Sequence, residues 1–280
     1  MHTLTTFADA AGWLRACGAE MEGDECLNSL ILGSALTGYG GEPPTALFTV
    51  RDPENGLQLA GLVIPHGRLL LAGPADDAAF ELAAAHLTSS GADLATVTGS
   101  EPLAEGFGRA WQSLTGRTPT LAMRQRLHAL EKVAELPEPP GRMRLAELPD
   151  LDRVASWMAE FERDLFGDAD PARARADAER RVRAREVVLW DDGEARAMAA
   201  RARRTRTTET VNHVFTPESQ RGRGYATGLV AALSRMLLTE GCERCVLFTD
   251  LANPVSNAIY ARIGYEPVAD FTMLRLPRST

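Results

Sequence analysis

The run Arg221-Gly222-Arg223-Gly224-Tyr225-Ala226 has the residue types and spacing to hold a phosphate group. Glycine lets the backbone approach a ligand without a Cβ in the way. Successive amides can then point in one direction, with the positive end of a helix dipole behind them. An anion at such a helix start gains ~0.3–2 kcal/mol per charge.

The neighbouring elements must position this loop. The extended run Thr210–Thr216 leads in through the short turn Pro217-Glu218-Ser219-Gln220. A strongly amphipathic helix leads away, apolar at Leu229, Val230, Leu233, Met236 and Leu237 and stopped by Gly241. Next come a buried-type strand at Cys245–Asp250, a short helix at Pro254–Ile263 closed by Gly264, and two strands at Glu266–Asp270 and Thr272–Leu276. Upstream, Arg142–Leu145 reads as a short strand. Asp150–Phe161 and Ala172–Arg185 read as helices, and Glu186–Trp190 and Ala195–Ala202 as hairpin strands around Asp191-Asp192-Gly193.

Leu136-Pro137-Glu138-Pro139-Pro140-Gly141 can neither continue a helix nor pair inside a sheet. It sets a linker at 137–141 between expected domains at 1–136 and 142–280. The first domain shows a helix around Cys26–Leu36 and extended runs at Thr45–Arg51 and Gln58–Ile64. Those runs are joined by the turn Asp52-Pro53-Glu54-Asn55-Gly56. A strand at Arg68–Ala72, a helix at Asp77–Leu87 and a strand at Thr120–Leu130 follow. Both halves run in a similar order of elements, without a literal sequence repeat. The first half has no glycine-arginine loop between its central strand and helix.

Composition narrows the class. A formal net charge of −8 argues against a general nucleic-acid binder. Arg196, Arg201, Arg203, Arg204 and Arg206 cluster without an acid among them. Lys132 is the one lysine of the chain, so arginine carries nearly all positive charge, and a solvated basic edge is expected there. No apolar run approaches the ~18 residues of a membrane span. The start, Met1-His2-Thr3-Leu4-Thr5-Thr6-Phe7, lacks the order of a secretion signal. A cytoplasmic protein without membrane or nucleic-acid partners is expected; oligomeric state is left open. Cys242-Glu243-Arg244-Cys245 has C-x-x-C spacing, but it ends a helix and begins an apolar strand, and no second pair completes a zinc site. Neither a metal nor redox chemistry is expected.

A phosphate loop has more than one use. Gly222-x-Gly224-x-x-x-Gly228, with Asp250 ending the next strand, approximates a dinucleotide site. That reading fails on the loop, because Pro217-Glu218-Ser219-Gln220-Arg221 separates the strand from the first glycine. Too few residues also remain for further βα units.

Arg221-Gly222-Arg223-Gly224-Tyr225-Ala226 instead resembles the pyrophosphate loop, Arg/Gln-x-x-Gly-x-Gly/Ala, of the GNAT acyl-CoA-dependent N-acetyltransferases. Asn253-Pro254-Val255-Ser256-Asn257-Ala258-Ile259-Tyr260-Ala261-Arg262-Ile263-Gly264-Tyr265 resembles that family's second motif. The two stand in the right order, one helix and one strand apart. The resemblance is good over roughly Arg142–Leu276 and weak before it. It implies an α/β fold of two tandem GNAT-like domains, each a mixed, mostly antiparallel sheet flanked by helices, with a degenerate N-terminal copy. It implies acetyl-CoA as cofactor, the pyrophosphate on the amides of Arg221, Gly222, Arg223, Gly224, Tyr225 and Ala226. The pantetheine arm would lie along Val214, Phe215 and Thr216, with Asn253 and Asn257 near it. Asn253 is equally suited to capping the short helix. The acceptor would be a small-molecule amine or a peptide. A non-catalytic acyl-CoA-binding or interaction protein is the alternative.

The chemistry sets further demands. An attacking amine must be neutral, and a lysine-like amine is ~4–5 kcal/mol from that state at pH 7. By the resemblance, Tyr260 is the acid for the departing thiolate: a phenol with pKa near 10 keeps its proton at neutral pH. His213, with an ordinary pKa near 6.5, is the candidate base, and Glu209 and Asp250 are its rivals. Asn212 could orient substrate or water, but alternation along a strand lets only one of Asn212 and His213 face inward.

Overall fold

The computed structural model describes residues 1–38 and 40–277. In chain order the first half comprises β1 (Thr3–Thr6), α1 (Ala10–Glu22), α2 (Ser29–Thr37), β2 (Ala46–Arg51), β3 (Leu57–Ile64) and β4 (Arg68–Ala72). It continues with α3 (Asp77–Ser89), β5 (Thr96–Ser100), α4 (Glu101–Thr115) and β6 (Thr120–Leu130). The second half has β7 (Arg142–Leu145), α5 (Leu151–Phe166), α6 (Pro171–Arg183), β8 (Val187–Asp191) and β9 (Ala195–Ala202). It ends with β10 (Thr208–Phe215), α7 (Tyr225–Thr239), β11 (Arg244–Asp250), α8 (Pro254–Ile263) and β12 (Glu266–Arg275).

Local chemistry explains these elements, including those that the sequence pattern passed over. The Asp9 carboxylate accepts from the Gly12 amide at 2.7 Å and starts α1, whose Trp13, Cys17 and Met21 form one buried stripe. In β3 every residue from Leu59 to Ile64 is buried, because helices cover both faces of the sheet. Each fully buried leucine there contributes ~1.5–3 kcal/mol. Cores lie on both faces of both halves. Phe48, Leu69 and Phe107 pack under α3 and α4, and Trp13, Leu62 and Leu70 under α1 and α2. Val211, Leu229 and Leu233 pack around α7, and Leu189, Met198 and Phe215 under α5 and α6.

The strands form one twelve-stranded mixed sheet in the order β1-β2-β3-β4-β5-β12-β6-β11-β10-β9-β8-β7. Its centre is an exchange. β6, from the first half, pairs antiparallel with β11 from Leu130–Cys245 to Gln125–Asp250. β12, from the second half, lies between β5 and β6 and pairs with both. Glu266–Arg275 is therefore a single strand rather than the expected pair, with register shifts at Pro267/Ala269 and Met273/Leu274. Continuous pairing against the long β6 carries it through the residue where a break was expected. Leu127, Val246 and Phe271 close a small shared core at this junction together with Cys26.

A buried carboxylate fastens the halves a second time. Glu25 is 6% exposed and accepts from the Thr207 amide at 2.7 Å, the Thr208 amide at 3.2 Å, the Thr207 hydroxyl at 2.7 Å and the Thr205 hydroxyl. Burial raises its pKa, but these bonds outweigh burial and hold it below the ordinary 4.5. Glu25→Ala is expected to lower unfolding stability by roughly 2–4 kcal/mol in urea titrations, because four donors lose a charged acceptor. The wild-type contribution is present above pH 4.5 and is lost as pH falls through the lower folded-state value. An alanine variant as stable as wild type at pH 7 would show that the cap does not hold the halves.

The arginine cluster is ion-paired, and Arg204 and Arg206 remain exposed to solvent as expected. Arg201 and Arg204 both bind the buried Glu209, Arg201 also reaches Glu240, and Arg196 pairs with Asp192 and Glu194. Asp192 and Glu194 lie in the turn just before Arg196 and Glu209 lies on the next strand, whereas Glu240 comes from the end of the distant α7. All four cysteines are free and buried. Among the described residues no group of His, Cys, Asp or Glu could hold a metal ion, and no helix is long and apolar enough to cross a membrane.

Candidate active site

Parallel pairing between β10 and β11 is confined to Thr208–Thr210 against Arg244–Val246. Beyond it the strands part. β11 stays paired with β6 as far as Asp250, and β10 with β9 as far as Phe215. The facing edges of Val211–Phe215 and Leu247–Asp250 are left without a strand partner. Such a slot can take an extended ligand as an added strand.

A β-bulge shapes the β10 side of the slot. Asn212 pairs with Ala200 and Phe215 with Met198, so β10 carries an extra residue, and His213 adopts φ 48°. The bulge breaks the alternation expected from a regular strand. Asn212 and His213 both line the same cleft, and the His213 ring lies 5.2 Å from that of Phe161 on α5. Val214, Phe215 and Thr216 also line it, although Phe215 is largely packed against Trp157.

At one end of the slot the glycine-arginine loop opens α7. Gly222 and Gly224 have φ of 78° and 82°, a left-handed backbone that glycine adopts without strain. Gly224 is the N-cap residue and offers no side chain to the first turn. The first helical bond runs from the Gly228 amide to the Gly224 carbonyl at 2.9 Å, so the amides of Gly222 to Thr227 are unclaimed among the described residues. Arg221 differs from the expectation: its amide already donates to Glu218, and its guanidinium binds the Thr216 carbonyl and Asp164. It braces the loop against α5. Tyr225 turns its hydroxyl away to Asp192 at 2.7 Å, leaving only its amide to face the loop, and the Arg223 side chain is exposed. A Cβ on Gly228 would lie 2.8 Å from the Pro139 ring, so the proline linker seats on α7 only because that residue is glycine.

At the other end stands Tyr260 on α8. It is 8% exposed, lines the cleft and makes an edge contact with the Tyr265 ring. Its hydroxyl has no hydrogen-bond partner among the described residues, and burial alone pushes its pKa up. The phenol keeps its proton across the physiological range. His213 is driven the other way, to about 3. Desolvation is the main cause, followed by the field of Arg181, the opposing Asp177, and Arg203 and Arg180. Its imidazole is a neutral hydrogen-bonding group, not the base of ordinary strength expected from its type.

Other expected positions have other work. The Asn253 carboxamide caps α8 by accepting from the Ser256 amide at 3.1 Å, and the residue lines the cleft rim. Asn257 is not brought to the cleft. It donates to the Asp250 and Asn253 carbonyls and accepts from the Thr249 hydroxyl, joining β11 to α8. Glu209 lies at the opposite end of β10, held by Arg201 and Arg204.

The slot, the loop and Tyr260 open into one cleft of about 1630 Å³ that also takes walls from the first half, among them Leu70, Thr98, Met123 and Gln125. No motif marks those residues; only the strand exchange brings them here. Thr98, Thr210, Asn212, His213, Thr216 and Gln220 are among the cleft residues, and each has a side-chain oxygen or nitrogen that is buried without a hydrogen-bond partner among the described residues. Unpaired buried polar atoms are costly, and their concentration on one cleft marks a ligand site. The first half repeats the parallel pairing, Arg68–Leu70 against Thr96–Thr98, but closes its helix start. The Asp76 carboxylate caps α3 through the Ala79 amide at 2.9 Å and binds His2.

Residues 151–265 match the model of the Acetyltransferase (GNAT) family. They form a GNAT domain. The likeness in fold extends through both halves. A GNAT-family acetyltransferase from Colwellia psychrerythraea is 15% identical, with 99% of this chain and 100% of that chain covered at a TM-score of 0.60. A GCN5-related N-acetyltransferase from Sphaerobacter thermophilus is 17% identical, covering 99% and 96% at 0.61. A tandem GNAT protein from the clavulanic acid biosynthesis pathway is 13% identical, covering 100% of both chains at 0.59. No curated protein sequence matches significantly. Identities this low carry the tandem GNAT fold and nothing finer. The matched segment contains the bulge, the loop and Tyr260, so the GNAT domain holds the elements that shape the slot.

Proposed function

We propose that this protein is an acetyl-CoA-dependent N-acetyltransferase that works in its C-terminal half. The observation that carries this reading is the unclaimed amide series Gly222–Thr227 at one end of a splayed β10–β11 slot that has a protonated phenol at the other. The residues fit the cofactor. Amides 222–227 would take the pyrophosphate, the open edge of Val214–Thr216 the amide-bearing arm, and the unpaired Thr216 Oγ1 and Gln220 Oε1 further polar groups. When bound, acetyl-CoA supplies the acyl group as a thioester whose sulfur must leave.

Tyr260 Oη holds the proton that such a leaving group needs. Asn212 Oδ1 and the neutral His213 ring accept hydrogen bonds from the incoming amine and aim its lone pair. The cationic field that disfavours a charged imidazole acts equally on an ammonium group beside it. The site thus favours the neutral amine without a strong base.

The first half is a poor anion site, because Asp76 takes the Ala79 amide at the helix start and adds like charge there. Gly224→Asp tests this logic by placing a carboxylate at the start of α7. It is expected to weaken acetyl-CoA binding by more than tenfold in calorimetry, while strain at φ 82° lowers stability by ~1–2 kcal/mol. One site per wild-type chain is expected. Unimpaired binding by the aspartate variant would remove the loop from the cofactor site.

A further inference from the structure

Near His213 the cleft takes a wall from α6, whose Asp177, Arg180 and Arg181 all line it. The other side of α6 is fixed to the sheet, with Ala174, Ala178 and Val182 buried in one core with Leu189 and Phe215. The lining residues form a compact ion cluster. Arg181 donates through Nε to Asp177 Oδ2 at 2.7 Å, and Arg180 Nη2 binds the other oxygen of that carboxylate at 2.6 Å. Glu186 is 3.4 Å from Nη1 of both arginines, well beyond the about 2.7–2.9 Å of a strong charged bond. Arg181 Nη2 donates to no group among the described residues. The side chain is 11% exposed, and Nη2 is not one of the atoms sealed from solvent. Asp177 thus fixes one edge of this guanidinium and leaves its Nη1–Nη2 edge to the cleft.

Among the charges that act on His213, Arg181 is the strongest, ahead of the opposing Asp177, and Arg203 and Arg180 add to it. Arg203 lines the same cleft in a left-handed backbone, φ 48°. Gly33 of α2 lies so close that a Cβ on it would meet the Arg203 Cβ at 2.5 Å. Strain of this kind collects at ligand sites and persists because the surrounding packing holds it.

We propose that the acceptor is a short amino acid, its amine beside His213 and its carboxylate on the Nη1–Nη2 edge of Arg181. This rests on the transferase reading above. A guanidinium edge takes a carboxylate through two parallel N–H···O bonds, a match that a neutral carboxamide cannot make. Arg181 is close enough to His213 for its charge to bear on the ring, so a few carbon atoms separate amine and carboxylate. One negative charge suits this corner, because Asp177 and Glu186 stand beside it and would repel a phosphate dianion. The arginines that disfavour an ammonium ion here thereby select an anionic partner group on the same molecule.

The full-length protein, saturated with acetyl-CoA and followed by thiol release, would be given amino acids, each beside its own carboxamide. The panel is the proteinogenic primary amines, β-alanine and 4-aminobutyrate, with 2-aminoethyl phosphate as the phosphate counterpart of β-alanine. At least one acid should show a KM about tenfold or more below that of its amide and below that of the phosphate. Arg181→Gln is expected to close this gap by raising the KM of the acid, while acetyl-CoA still binds. Arg181→Lys keeps a cation beside Asp177 but loses the planar edge, and it should narrow the gap at a near wild-type melting temperature. A purely structural arginine would raise both KM values together and leave their ratio. Amides used as well as acids, a preference for the phosphate, variants that keep the ratio, or transfer to none of the acids would overturn the amino-acid acceptor while the cofactor site stands. Failure to bind acetyl-CoA would overturn both.

Discussion

Tyr260→Phe is expected to lower kcat by ~10²–10⁴ with little change in acetyl-CoA affinity. The phenol hydroxyl makes no hydrogen bond to the described protein, so its loss removes no structural contact, and the ring keeps its packing against Tyr265. A fall in kcat at constant melting temperature would therefore report the proton and not the fold. The pH profile supplies a second reading. Burial raises the Tyr260 pKa above its ordinary value near 10, and His213 sits at about 3, so neither group titrates between about pH 5 and 8. The rate should climb with pH along the ionisation of the acceptor amine itself, without a break near 6.5. Unchanged turnover by the phenylalanine variant would remove Tyr260 from the chemistry. A break near 6.5 that disappears in His213→Gln would instead restore the histidine as a base.

Removal of residues 1–137 is expected to abolish cooperative folding of the remainder. The truncation takes away β6, and with it the partner of β11 along Cys245–Asp250 and one of the two partners of β12. The other partner of β12, β5, goes as well. Val246, Phe271 and Met273, all buried in the whole protein, would face water along an unpaired sheet edge. The lost contacts exceed what a marginally stable domain of this size tolerates, since total stabilities are only about 5–15 kcal/mol. Circular dichroism melts of 138–280 alone should show no sharp transition. A cooperative melt near that of the full chain would mean that the exchanged strands are dispensable and the halves fold separately.

Much of the candidate site was legible because it is local. The helix after the loop announced itself through its apolar periodicity, and Gly222 and Gly224 stand where the backbone needs positive φ. Pro254–Ile263 ran to its expected ends because Asn253 caps it and Gly264 stops it. These features depend on residues a few positions apart, and short-range sterics and hydrogen bonding decide them.

What the sequence left open depends on residues far apart in the chain. The bulge that sends both Asn212 and His213 into the cleft comes from pairing with β9, and a strand pattern read alone can only alternate. The weak basicity of His213 comes from desolvation and from arginines on α6 and at the β9–β10 turn, none of them near it in sequence. The Glu25 cap across Thr205–Thr208 is equally non-local. The sequence by itself determined where the glycine-arginine loop and Tyr260 fall and the order of elements around them, because local residue types decide each. Only the tertiary structure decided that β6 and β12 change places, and with that exchange that both halves wall a single cleft. Strand order is settled by which edges and apolar faces find each other, and no local pattern encodes the partner.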